Sequence, residues 1–365
     1  MSSQIPIPCM LMRGGTSKGP FFTFQDLPED IETRDKVLLA LMGSPDKRQI
    51  DGIGGATPLT SKAGIVRKSH KPGIELEFLF VQLQPDSTSV NTNVNCGNML
   101  AAVVPFALER GLITAQHPTT TARVLTLNTG VIADITVQTP NGEIHYDGDT
   151  KIDGVPHSHA PIQIRFLDTE GSTCGQLFPT GNTYDEFDIP KIGKLNVTCI
   201  DNGMPMVLIS AQDLNRTAYE SVSQLNQDHE LKEILENLRL QAGYKMQLGD
   251  VSDKSYPKMC LLNQPIQNGH IHTRCFIPHI CHEAIGVLAA VTIATACAMK
   301  GTVAYDLSRF EPDRPFSVEH PSGEFSVSLT CDQQGKVTHA ALLRTARLLM
   351  RGDVMIAKSI WSKGE

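Results

Sequence analysis

The stretch NCGNMLAAVVPFAL, from Asn95 to Leu108, sets a polar, cysteine-bearing turn against a run that is apolar on nearly every side. A helix that is hydrophobic all round is normally enclosed rather than laid on a surface. The second half repeats the arrangement. PHICHEAIGVLAAVTIATACAM, from Pro278 to Met299, again opens with a polar, cysteine-containing turn and continues as an Ala- and Val-rich helix. The enclosed helices are expected over 98–108 and 284–299, one in each half and each among strands. That pattern reads as an internal duplication: two similar β-rich domains, each wrapped around a buried helix. The acidic, Pro-containing stretch 184–194 is the expected junction, giving domains 1–188 and 189–365. Both helix N-termini could then face one interdomain cleft, where exposed N–H groups and the positive dipole end favour carboxylates.

Strand-like patterning surrounds the two helices. Residues 74–84 (IELEFLFVQLQ) alternate as a half-buried strand does. Asn141-Gly142 between the arms of 136–146 is a hairpin signal. Further strands are expected at 124–128, 162–167, 197–200, 206–209, 258–262, 272–277, 325–329 and 337–343. Amphipathic helices are expected over 34–42 and over 228–241. The second has Asp228 as N-cap and a stripe of Leu231, Ile234, Leu235 and Leu238.

Composition narrows the function class. Of 365 residues, 41% are hydrophobic and the net charge is -7, so a general attraction to nucleic acid is not expected. The start, MSSQIPIPCM, has neither a basic end nor an apolar run. The apolar segment 284–299 is shorter than the ~20 residues needed to span a bilayer, so no membrane partner is expected. Nine cysteines occur without a Cys-x-x-Cys pair, which points to reduced thiols in a cytoplasm. Self-association is left open.

Two glycine-rich segments imitate nucleotide motifs without matching them. RGGTSKG (Arg13 to Gly19) lacks the phosphate-loop spacing, and in DGIGG, Thr57 stands where GxGxxG needs its third glycine. What remains is backbone N–H groups with Arg13, Thr16 and Ser17, able to meet an oxyanion; a structural tight turn is the alternative. Cys96 is the sharpest signal, because a thiol at a helix N-terminus has its thiolate favoured, and Gly97 admits a ligand close to the backbone. A buried core cysteine is its alternative. Lys62 opens an apolar strand after a glycine-rich loop, where a lysine either snorkels to solvent or is held in a cleft as a base. His279 and His282, near Cys275 and Cys281, match no metal-ligand spacing, so no metal is expected. His320 is expected on a turn between strands.

Taken together, RGGTSKG, DGIGG…LTSK (Asp51 to Lys62), NCGN (Asn95 to Asn98), IDGVP (Ile152 to Pro156) and CIDNGMP (Cys199 to Pro205) occur in a recognisable order. LRLQAG (Leu238 to Gly243), LGDVS (Leu248 to Ser252), PKMCLL (Pro257 to Leu262), FIPH (Phe276 to His279) and EHPSG (Glu319 to Gly323) continue it. The whole chain resembles the methylaconitate isomerase family, within it most closely the 4-oxalomesaconate tautomerases. The resemblance implies an α+β fold of two pseudo-symmetric diaminopimelate-epimerase-like domains. Each would be a curved, mostly antiparallel sheet around a central buried helix. It implies cofactor-free transfer of a proton, with a double-bond shift, on a small unsaturated polycarboxylate. Such acids are cis-aconitate, 2-methylaconitate, methylitaconate and 4-oxalomesaconate. The family's catalytic pair falls on Lys62 and Cys96. The expected substrate-binding set is Arg13, Thr16, Ser17, Ser61, Asn95, Gly97, Asn98, Asn202, Met204, Arg274 and His279. Two rivals stand beside this reading: a two-cysteine epimerase using Cys96 and Cys281, and an anion-binding protein without activity.

Overall fold

A computed structural model describes residues 3–92, 95–167, 169–311, 315–331 and 337–362. The chain forms two compact units, one of residues 1–167 with 344–365, the other of residues 168–343.

In the first unit the strands are β1 (Gln4–Gly14), β2 (Ser17–Thr23), β3 (Lys62–Lys68), β4 (Leu76–Leu83), the short β5 (Val90–Asn91), β6 (Thr119–Thr126), β7 (Ile132–Gln138), β8 (Ile162–Phe166) and, from the end of the chain, β17 (Ala346–Ala357). Hydrogen bonding orders eight of them β17-β1-β2-β3-β4-β6-β7-β8. The successive pairings are antiparallel, antiparallel, parallel, antiparallel, parallel, antiparallel and antiparallel. The second unit holds β9 (Asp185–Ile189), β10 (Gly193–Asp201), β11 (Pro205–Ser210), β12 (Lys258–Asn263), β13 (Ile271–Phe276), β14 (Pro315–His320), β15 (Gly323–Cys331) and β16 (Val337–Arg344). These pair in chain order with the same sequence of senses. The duplication expected from the two buried helices is thus repeated strand by strand.

Both faces of the first sheet are covered, so its strands bury consecutive residues. On β2, Phe21 stacks against Phe78 and packs at a tilt on Phe106, while its neighbour Phe22 joins a cluster with Val37, Leu38, Leu41 and Met42 of helix α1 (Ile31–Met42). The opposite face encloses α2 (Gly97–Leu100) and α3 (Val103–Glu109). The second unit carries α4 (Val222–Gln227) and α5 (His229–Lys245) against one core, the enclosed α6 (Val287–Ala298), and α7 (Val303–Leu307). No helix is long and apolar enough to cross a membrane among the described residues.

Four expectations are corrected. The first buried helix is broken at Ala101–Ala102: Pro105 has no N–H to give the carbonyl of residue 101, and Ala102 N–H turns to Met99 O at 3.0 Å instead. The second begins at Val287, not 284, because Gly286 is its extended N-cap (φ -71°, ψ 145°). Asn141 and Gly142 do take positive φ (59° and 79°), but no hairpin follows. β7 already has β6 on one edge and β8 on the other, leaving no ladder for a returning arm. Finally, 184–194 is no junction: it is the β9–β10 hairpin, with Gly193 opposite Ile189. The units divide at 167/168, and the last strand returns to the first unit beside β1.

Candidate active site

Three segments of the first unit converge on one buried amine. Lys62 is the first residue of β3 and only 7% exposed. Its Nζ donates to Ser17 Oγ at 2.9 Å and lies 3.5 Å from Cys96 Sγ, with the Phe80 ring centroid 5.7 Å away. Cys96 is the N-cap of α2, with extended backbone (φ -132°, ψ 101°); its thiol makes no capping bond and faces Lys62 instead.

Glycines explain how the backbones come so close. β1 and β2 turn through Gly15 (φ +51°) and Thr16, since Gly14 pairs with Ser17. A Cβ on Gly19 would stand 1.9 Å from Lys62 O, and one on Gly14 would stand 2.3 Å from Asn98 O. Only glycine lets the RGGTSKG hairpin lie directly on both the Lys62 strand and the NCGN turn. Asn98 Nδ2 then donates to Thr16 Oγ1 at 3.0 Å, tying turn to hairpin. Arg13 Nη1 donates to Gly15 O (2.9 Å), Thr345 O (3.1 Å) and Thr345 Oγ1 (3.0 Å), while its buried Nη2 has no protein acceptor. Burial first, then the nearby Arg347, lowers the Arg13 pKa to about 10, which leaves the guanidinium charged at neutral pH.

The structure therefore brings Arg13, Thr16, Ser17, Lys62, Cys96, Gly97 and Asn98 into one cluster. Asn95 sits at its exposed rim, where its amide bonds Thr129. Ser61 is fully buried, its hydroxyl within hydrogen-bond distance of Gln49 Oε1 (3.0 Å) and Thr57 O (2.8 Å), which braces the loop before Lys62.

The second unit's predicted residues make no comparable cluster. Asn202 accepts from Thr169 Oγ1 (2.6 Å) and donates to Thr295 Oγ1 (2.8 Å), so each end of its amide has one protein partner. Met204 is half-buried, with its carbonyl receiving the Thr292 hydroxyl at 3.3 Å. Arg274 is buried on β13, giving hydrogen bonds to Glu220 O (3.0 Å) and Thr273 O (3.0 Å) and meeting His272 Nε2 at 2.7 Å. His279 is exposed and paired with Glu236 at 2.8 Å. Cys281 does not mirror Cys96. It lies five residues before the N-cap Gly286, packed in an apolar core, and burial pushes its thiol up to about 12.

Three supporting residues escaped the sequence reading. Gln49, buried with φ +47°, accepts from Ala56 N and Ser61 Oγ and shapes the glycine-rich loop. Asn128 receives Phe80 N–H and donates to Thr92 O, holding the approach to the NCGN turn on β4. Lys258 opens β12 as Lys62 opens β3, a correspondence visible only once the strands are aligned by topology. Burial lowers its pKa.

Comparison with known proteins points one way. The PrpF protein family matches residues 4–357. The chain is 50% identical over 364 residues to a 4-oxalomesaconate tautomerase of Pseudomonas putida, covering 99% of each. It is 50% identical over 351 residues to a (4E)-oxalomesaconate Delta-isomerase of a Novosphingobium species, covering 96% of this chain and 97% of that one. A crystal structure of methylitaconate-delta-isomerase superposes with a TM-score of 0.86 at 33% identity, covering all of both chains.

Proposed function

The chain belongs to the PrpF protein family, and from that premise we propose that this isomerase tautomerises 4-oxalomesaconate with Lys62 and Cys96 as its acid–base pair. The observation that carries the reading is the buried contact of Lys62 Nζ with both Ser17 Oγ and Cys96 Sγ. Substrate carboxylates would meet the RGGTSKG hairpin and the first N–H groups of α2, which by helix geometry have no intrahelical partner. The buried Nη2 of Arg13 offers a further donor whose desolvation an oxyanion would offset.

One of the pair takes a proton from carbon or from the enol oxygen. The electron pair left behind spreads through the conjugated system onto a carboxylate or keto oxygen already facing donors, an electrostatic stabilisation usually dominant in such chemistry. A proton then returns at the other end of that system, so the substrate changes neither in composition nor in oxidation state. Amine and thiol at 3.5 Å can pass the proton between them, which lets one cluster serve both ends. The unbridged thiols of the described cysteines suit a reducing compartment such as the cytoplasm.

The test is a panel of cis-aconitate, 2-methylaconitate, methylitaconate and 4-oxalomesaconate, followed by ultraviolet absorbance and by proton NMR in deuterium oxide. Fastest turnover of 4-oxalomesaconate, with deuterium at the new position, is expected. Faster turnover of another acid reassigns the substrate. No deuterium in any of them removes the proposed chemistry.

A further inference from the structure

β17, with the sequence ARLLMRGDVMIA, is the edge of the first unit's sheet: among the described residues its only strand partner is β1. It exposes Leu349, Met350 and Met355 by 42%, 44% and 45%. A long edge strand with exposed apolar residues is a template for another strand unless its chemistry forbids pairing. Here the chemistry invites one particular partner. Read outward from Gly352, the strand is self-complementary: Arg351 and Asp353 flank the glycine, then Met350 and Val354, then Leu349 and Met355.

An antiparallel copy with Gly352 opposite Gly352 places each Arg351 opposite an Asp353 of the second copy, twice over, and sets apolar residues opposite apolar ones. Residues directly opposite share a face of the sheet, so these are contacting pairs rather than a coincidence of composition. A Cβ built on Gly352 meets nothing within 4 Å, so a side chain has room at the centre of the strand. The bulge between Leu11 and Met12 skips Leu349, leaving 350–357 as the regular part of the ladder. Arg351 already touches Glu109 through one amino group, and its guanidinium carries further donors for a carboxylate across the axis.

We propose that two copies of this chain associate antiparallel through β17, about a two-fold axis at Gly352. The interface is isologous, with main-chain hydrogen bonds supplying affinity and the two Arg351–Asp353 pairs fixing register.

Sedimentation and light scattering of the full chain at micromolar concentration should give about twice the chain mass of 39.8 kDa. Asp353→Arg sets arginine against arginine and Arg351→Asp sets aspartate against aspartate, so each alone should weaken the dimer roughly tenfold or more. Mixing the two variants in equal amounts should restore it, an outcome that a merely structural role for either residue does not give. Gly352→Cys, for which the structure has room, should cross-link into a dimer under a mild disulfide oxidant, because opposed residues lie within disulfide range. Arg347→Cys, far from the axis, should not. A monomeric wild type at tens of micromolar, a dimer that survives both charge reversals, or a dimer that Gly352→Cys fails to cross-link would each overturn the proposal. Should a charge reversal impair folding, the Gly352→Cys arm decides alone.

Discussion

Replacing Cys281 with serine separates two mechanisms that a two-unit fold of this kind can support. Cys281 is 2% exposed in the apolar core of the second unit, and its Sγ has only a weak contact with His282 O at 3.9 Å. Burial, set against partial relief from Arg274, pushes its thiol up to about 12. At pH 7.5 that leaves roughly one thiolate in 10⁴ to 10⁵ molecules, too few for an effective general base. Serine puts a hydroxyl where a near-apolar thiol stood, at a cost of about 1–3 kcal/mol if unsatisfied and less if it donates to His282 O. That cost falls on stability. The backbone bond from Cys281 N–H to Asn226 Oδ1, at 2.8 Å, is untouched by the substitution. Cys281→Ser should therefore melt a few degrees lower yet keep at least about a tenth of kcat/KM, a loss of no more than about 1.4 kcal/mol in transition-state binding. Cys96→Ala should lose at least ~100-fold in kcat, about 2.7 kcal/mol. Both are read by steady-state turnover of 4-oxalomesaconate alongside thermal denaturation. A Cys281→Ser enzyme as inactive as Cys96→Ala, together with an active Lys62→Met, would refute the reasoning and favour the two-cysteine epimerase.

Lys62→Met should also lose at least ~100-fold in kcat with its melting point nearly unchanged, since methionine keeps the apolar stem and removes only the amine; full activity in a verified sample takes Lys62 out of the mechanism. Gly19→Ala drives a methyl to within 1.9 Å of Lys62 O and should destabilise the first unit by about 1–3 kcal/mol while lowering kcat. Thermal melting beside Gly352→Ala, where a Cβ meets nothing, checks that the cost is steric. Glu319 is buried, which by itself raises its carboxyl, but His272 and the N–H groups of Ile266, Gln267 and Gly269 outweigh burial and hold it below the ordinary value. A depressed folded-state pKa gives stability that is present above about pH 4.3 and lost as pH falls through the lower folded value. Glu319→Gln should thus be less stable at pH 7 and show a shallower acid limb in a melting-point profile; an unchanged limb refutes the assignment. Activity should survive exhaustive EDTA treatment, and its reproducible loss with recovery on adding a divalent ion would require a metal.

Local and periodic features were legible because they depend on neighbouring residues alone. Asp228 caps α5 by accepting the N–H of Leu231, and most expected strands lie within a residue or two of their observed positions, since apolar patterning fixes which faces can be buried. The paired buried helices announced the duplication that the strand topology repeats. Lys62 and Cys96 stand out in sequence as a strand-opening lysine and a helix-capping thiol, but 34 positions separate them. Their contact exists only because glycines at 14 and 19 let the hairpin lie against both segments. Tertiary structure also supplied what sequence could not about the other polar residues. Ser61, Asn202 and His279 read alike in sequence as polar groups, and only the fold shows which protein partners each one has. The break at Ala101 has a local cause, the missing N–H of Pro105, whereas the lost hairpin after Gly142 does not: no local pattern reports whether a neighbouring sheet edge has already been taken.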